Sequence, residues 1–357
     1  MDMEKYVTLL KDLMAIRSVS VDPAMNNRVT ETLYTFFKEN STLHCTVEEF
    51  QGRKILYAST IPGKNPDLML NAHLDVVPAE EETWKIRVEE DWVYGRGSVD
   101  CKGNAVAIVK ALCEMEEGVS AGAFFTVDEE VGGFTTGYMV EQGYYPKRMT
   151  CIMDSWNNDM VCCAQKGILA VKLTAHGQGG HSSAPWAFEN PLDQLMDGYL
   201  RFRSLWQNPG KEDQWHKTMA ATVIRGGSAV NQIPDTAELT LNFRYVANGE
   251  KEEILKMLEV TSLEVTVVEN CLPVCVPTSA KEFGLLQSVL EKHFGSFNGY
   301  RKMNGATDAR HFASLNLPIA IIGVQGEGAH ALVERVSISS MAKYAQILKD
   351  LASALKG

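Results

Sequence analysis

The chain has 357 residues, enough for a full hydrophobic core and for two domains. Its 45% hydrophobic and 22% charged residues are those of a globular protein, and no apolar run approaches the ~18–20 residues of a membrane span. A formal net charge of −11 argues against nucleic acid or an anionic membrane as partner. The start, Met1-Asp2-Met3-Glu4-Lys5, runs straight into an amphipathic helix pattern without a signal-peptide profile, so the cytoplasm is the expected compartment. Eight cysteines form no CxxC pair, which removes zinc ribbons and thioredoxin-type redox motifs. Cys101, beside Asp100, is the one placed near other candidate groups, and it is expected to be a bystander.

The first strong element is Leu68-Met69-Leu70-Asn71-Ala72-His73-Leu74-Asp75-Val76-Val77-Pro78. An apolar run this short, closed by a proline, predicts a strand buried on both faces. Residues two apart on a strand share a face, so Asp75 can orient the His73 ring, as carboxylates behind metal-ligating histidines do. Trp92 to Gly97 leads into Ser98-Val99-Asp100-Cys101-Lys102-Gly103, then a helical pattern from about Asn104 to Glu117. Ala123 to Val127 predicts a strand ending in Asp128-Glu129-Glu130, with Gly132 and Gly133 behind it. Met149 to Met153 ends in Asp154. Strands alternating with helices predict a parallel sheet, in which functional groups gather at the carboxyl ends of strands.

After Asp154 the periodicity changes. Gly167 to Ala175 alternates like a half-exposed strand, and Pro191 to Trp206 reads as an amphipathic helix. Ala220 to Ile224 and Thr236 to Arg244 read as strands, Lys251 to Val260 as a helix, and Val265 to Val268 as a last strand. That β-α-β-β-α-β order is ferredoxin-like. The α/β pattern resumes with the strand Ile319 to Gly323 and the loop Gly326-Glu327-Gly328-Ala329-His330. We therefore expect a catalytic domain from residues 1–166 plus 271–357, interrupted by an inserted domain at 167–270.

His73, Asp100, Glu130, Asp154 and His330 are the candidate metal ligands. Mixed nitrogen and oxygen donors suit zinc, with cobalt or manganese as substitutes. Three converging carboxylates would repel one another without cations, and their charge with a bridging hydroxide matches two divalent ions. One carboxylate must then bridge, and Asp100 is central in the series. Glu129 next to Glu130 lets one glutamate bind metal while its neighbour faces the attacking water as general base. Aiming both inward needs a turn at Asp128–Glu130, which the glycines that follow allow. His181, in the Gly-rich segment 177–185, could donate to a developing oxyanion. Asn231 and Arg244 are placed to grip a substrate carboxylate, Arg244 in bidentate fashion. His44, His176, His216, His293 and His311 have no supporting context. No GxSxG elbow or HExxH helix is present.

Taken together, Ala72 to Pro78, Gly95 to Gly103, Asp128 to Gly133, Gly180-His181, Asn231 to Pro234, Gly305 to Arg310 and Gly328 to His330 resemble the di-zinc metallopeptidase family. That family includes aminoacylase, acetylornithine deacetylase, succinyl-diaminopimelate desuccinylase, carboxypeptidase G and carnosinase-type dipeptidases. The resemblance spans essentially the whole chain. It implies a phosphorylase-like, mostly parallel sheet flanked by helices and an inserted ferredoxin-like lid or dimerisation domain. It implies His73, Asp100 and Asp154 on one zinc and Asp100, Glu130 and His330 on the other, with a cis peptide between Asp100 and Cys101. Glu129 would be the base, Asp75 would orient His73, and His181 would reach the oxyanion, often from the partner of a homodimer. Asn231, Arg244 and the loop of Gly305, Ala306 and Thr307 would hold the substrate carboxylate.

Two departures bear on substrate. Cys101 stands where many relatives carry a second acidic residue, and Asp154 resembles the peptidases and dipeptidases, whereas deacylases usually have glutamate there. Thr307-Asp308-Ala309-Arg310 leans back toward desuccinylases. The expectation is an amidohydrolase acting on an N-acyl amino acid or a short peptide with a free carboxylate. A dipeptidase or aminopeptidase on unblocked peptides, a ureido or carbamoyl hydrolase, and a non-catalytic amino-acid sensor are the alternatives. The complete ligand set and the base Glu129 weigh against the sensor.

Overall fold

The computed structural model describes residues 3–156 and 159–356. They fall into two compact units: Met1–Cys163 with Val276–Arg301 and Thr307–Gly357, and Ala164–Cys275 with Lys302–Ala306. The short return segment 302–306 joins the second unit through the Lys166 N–H, which donates to the Met303 carbonyl at 3.3 Å. Among the described residues, no helix is long and apolar enough to cross a membrane.

In the first unit a mixed sheet runs in the order His44–Phe50, Arg53–Ser59, Ala121–Thr126, Leu68–His73, Met149–Met153 and Ile319–Ile322. The last four strands are mutually parallel. Leu68–His73 and Ala121–Thr126 are buried at every position, as the uninterrupted apolar runs predict. The helix Gly103–Cys113, apolar but for Asn104 and Lys110, is buried from Gly103 through Leu112. It stops four residues short of the sequence expectation. Glu114, Glu116 and Glu117 would sit at the negative end of the helix dipole, and Gly118 turns the chain at φ +77°. The N-terminal helix Glu4–Ala15 buries Tyr6, Leu9, Leu10, Leu13 and Met14, one face at helical spacing. The next, Pro23–Asn40, starts on an Asp22 cap that accepts from the Ala24 and Met25 N–H groups.

A small antiparallel sheet in the same unit pairs Arg335–Ser337 with Trp92–Tyr94, and Gly326–Glu327 with Arg335–Ser337. It brings the segment after Tyr94 alongside the segment before Arg335.

The second unit is an antiparallel sheet in the order Thr218–Gly226, Thr236–Tyr245, Gly167–His176, Glu264–Cys271. The helices Pro191–Leu205 and Glu250–Leu258 cover one face, closing a core of Leu169, Val171 and Leu173 with Phe202, Leu241, Phe243 and Leu258. Thr236–Tyr245 alternates as expected. Gly167–His176 does not: it is buried at almost every position. It lies between two strands, and its small Ala170 and Thr174 are flanked by Asn242 and Glu269, and by Glu238 and Glu264.

Candidate metal centre

His73 is the last residue of its strand, and Asp75 lies just beyond. The His73 Nδ1 is 3.0 Å from the Asp75 carbonyl oxygen and 3.3 Å from Asp75 Oδ1. The backbone carbonyl, rather than the carboxylate expected from the sequence, is thus the nearer partner. Both are acceptors, so Nδ1 carries a proton and donates it, which leaves Nε2 as the ring atom turned toward Asp100. That nitrogen is 3.0 Å from Asp100 Oδ1.

The fully buried Asp75 carboxylate does more than face the ring. It accepts from Ser20 Oγ at 2.6 Å, from the Glu129 N–H at 3.2 Å and from the Glu130 N–H at 3.3 Å. One side chain therefore fixes the strand end that carries His73 and the turn that carries both glutamates. The turn itself needs Gly133, at φ +65° and against Asp308 and His311, where a Cβ has no room. His311, without context in the sequence, sits against this turn, its Nε2 3.1 Å from the Gly132 carbonyl.

Asp100 joins two groups of potential ligands. His73, Asp100, Cys101 and Asp154 form one, and Asp100, Glu130 and His330 the other, with ligand atoms in each group within 4.8 Å of one another. His330 Nε2 is 3.2 Å from Asp100 Oδ2 and 2.9 Å from Glu130 Oε1. The Asp100–Cys101 peptide is cis, and the Cys101 thiol points to the Met153 carbonyl at 2.7 Å.

The electrostatics fit a cation pair. Burial, then the Asp100 charge, pushes the Asp154 carboxyl up to about 7. Burial, with Asp154 and Asp308 nearby, pushes Glu129 well above the carboxylate range. Burial also raises Asp100, but hydrogen bonds from His330 and His73 outweigh it and hold that carboxylate well below its usual value. Hydrogen bonds to Asp100 and Glu130 raise His330 to about 10. Acids crowded to this degree call for positive charge, and two imidazoles with three carboxylates are a donor set that a divalent pair suits.

The remaining predicted residues lie partly elsewhere. His181, Asn231, Arg244, Gly305 and Ala306 belong to the second unit, and Thr307 to the first. His181 pairs with Gln232 across two short strands, and Ser182 N–H donates to the Asn231 carbonyl at 3.0 Å. Gly179, Gly180, His181, Asn231, Gln232 and Asp235 line an open cavity of about 400 Å³. Ser183 N–H donates to His181 Nδ1 at 3.2 Å, so the neutral ring keeps its proton on Nε2. Arg244 Nε donates to Asn242 Oδ1 at 3.2 Å, and Thr307 Oγ1 caps the following turn by accepting the Ala309 N–H.

Arg310 was legible only as part of a motif. Its Nη2 donates to the Glu129 carbonyl at 3.3 Å and lies 3.7 Å from Glu129 Oε1.

The model of Peptidase family M20/M25/M40 matches residues 69–354. The chain belongs to this family. A probable succinyl-diaminopimelate desuccinylase of Staphylococcus aureus is 24% identical over 343 residues, covering 82% of this chain and 84% of the relative. The fold is that of a metallo-carboxypeptidase of the family from Sulfolobus solfataricus, with TM-score 0.82, 16% identity and both chains covered completely. A dinuclear metal binding peptidase of the family from Bacillus subtilis matches with TM-score 0.72 at 12% identity, over 98% of this chain and 97% of that one. The protein is thus a hydrolase of this peptidase family, with the family's mixed sheet and separate antiparallel domain.

Proposed function

We propose that this M20-family protein is a di-zinc amidohydrolase that cleaves the amide bond of an N-acyl amino acid or a short peptide bearing a free carboxylate. The observation that carries the reading is the pair of ligand groups sharing Asp100, with Glu129 beside them. His73, Asp100 and Asp154 would hold one ion, and Asp100, Glu130 and His330 the other, with Asp100 common to both. Zinc bound there supplies Lewis-acid polarisation of the scissile carbonyl and a more acidic water.

The chain's own groups do the rest. Glu129 takes a proton from the attacking water on its carboxylate and returns it to the leaving amine. Asp75 holds the Glu129 and Glu130 backbone while it fixes the His73 tautomer. Arg310 limits where the Glu129 carboxylate can swing. His181, with its proton on Nε2, donates to the developing oxyanion. Asn231, Arg244 and the Gly305–Thr307 loop grip the substrate carboxylate. The inserted domain, residues 167–270, acts as lid and as the contact of a homodimer, and the protein works in the cytoplasm.

Asp154 favours a second reading, a dipeptidase or aminopeptidase on unblocked peptides. The test is to load the protein with zinc or cobalt, offer separate pools of N-acyl amino acids and unblocked dipeptides, and measure newly released amine by mass spectrometry. Turnover of the acyl pool alone is the expected result. Turnover of dipeptides alone would transfer the assignment to the second reading. Silence in both pools, with metal bound, would defeat both, and ammonia or carbon dioxide release would then identify a ureido or carbamoyl hydrolase.

A further inference from the structure

We infer that Glu334 is a positioning residue for the metal centre: with Arg96 it clamps the Asp100 loop to the His330 loop and sets the second metal position. The inference rests on the two-metal reading above.

The Glu334 side chain is completely buried and accepts four hydrogen bonds. Its Oε2 takes Arg96 Nη1 at 2.6 Å and the Gly97 N–H at 3.0 Å. Its Oε1 takes the Val99 N–H at 3.0 Å and the Asp100 N–H at 3.1 Å. A carboxylate has about four lone-pair sites, so Glu334 is fully used, and three of its donors are the backbone leading into Asp100. The backbone of Asp100 is non-helical, at φ −118° and ψ 87°, and belongs to no regular ladder that would otherwise fix it.

Arg96 closes the other side. Its Nη2 donates to the Ala331 carbonyl at 3.2 Å, one residue from His330. The Gly95 N–H donates to the Glu334 carbonyl at 3.0 Å, continuing the pairing of Arg335 with Tyr94. One buried ion pair thus spans the two loops that carry Asp100 and His330. His330 needs such support, because its side chain is 53% exposed and its backbone is left-handed, at φ +62°. Asp100 also serves the first position, but there His73 and Asp154 stand at the ends of sheet strands. Loosening the clamp should therefore fall mainly on the ion that His330 holds.

The test is a zinc titration of metal-free protein against a chromophoric chelator, giving two dissociation constants, for wild type and Glu334→Gln. Glutamine keeps one acceptor oxygen but puts an N–H₂ group against the other donors. The weaker site should lose about 10–100-fold in affinity, the usual effect of a supporting partner behind metal ligands, with a smaller change at the tighter site. Two constants equal to those of wild type would overturn the inference. So would an equal loss at both sites accompanied by a lower unfolding midpoint of the metal-free protein, the result of a merely structural role. Should Glu334→Gln fail to fold, Arg96→Lys keeps the buried charge and removes the arm to Ala331, and the same selective loss is expected. A wild type that takes up a single ion would instead defeat the two-metal reading on which the clamp stands.

Discussion

The two halves of the proposed ligand set are built differently. On one side His73 is 2% exposed, ends a fully buried strand, and has its tautomer fixed by Asp75. On the other, His330 is half exposed, sits on a left-handed loop residue, and meets Asp100 and Glu130 through its ring. The first half is held by the ends of buried strands in the core. The second half depends on loop-to-loop contacts, above all the Glu334 carboxylate. A site with one rigid and one compliant half can bind its ions with unequal strength while sharing a single carboxylate.

The largest effect expected is at Glu129, which belongs to neither half. Glu129→Gln should lower turnover by about 10²–10⁴-fold while both ions stay bound, read from steady-state kinetics alongside metal analysis. Loss of metal together with activity would make Glu129 part of one half and refute the base assignment.

Next comes a direct comparison of the two histidines in metal-free protein. His73→Ala strips the buried Asp75 of a partner and should cost about 1–3 kcal/mol in denaturant unfolding. His330→Ala removes a half-exposed side chain and, compared on the alkaline side of about pH 10 where its proton no longer contributes, should cost less than that. Equal costs would erase the distinction between rigid and compliant halves.

The smallest effect is in pH. In metal-free protein His330 titrates at about 10, raised by hydrogen bonds to Asp100 and Glu130. A folded-state value above the unfolded one, about 6.5, means the proton stabilises the fold. That contribution is complete below about 6.5 and disappears as pH rises through about 10. Thermal unfolding between about pH 7 and 10.5 should show it in wild type and lose it in His330→Ala. Zinc uptake should also release this proton at about pH 8, seen as a buffer-dependent heat of binding. A buffer-independent heat would place the proton elsewhere.

Much of the site was legible in the sequence because it is written in strands. Uninterrupted apolar runs ending in His73, Glu129–Glu130 and Asp154 announce buried parallel strands, and such strands present their last residues in one crevice. The antiparallel second unit was legible in the same way, from the order and periodicity of its elements. Its central strand was misread as half exposed, because neighbours on both sides shade small side chains and the alternation in sequence cannot report them. The roles of Asp75 toward Glu129 and Glu130, of Arg310 toward Glu129, and of His311 against Gly132 had no local pattern to betray them.

What the sequence determined by itself is the supply of donors and the strands that end beside them, since periodicity and strand ends are properties of neighbours along the chain. What only the tertiary structure decided is how those donors share. The meeting of His73 and His330 on the two oxygens of Asp100, and of Glu334 with the Asp100 N–H across 234 residues of chain, follows from packing between distant segments. No short-range pattern encodes it.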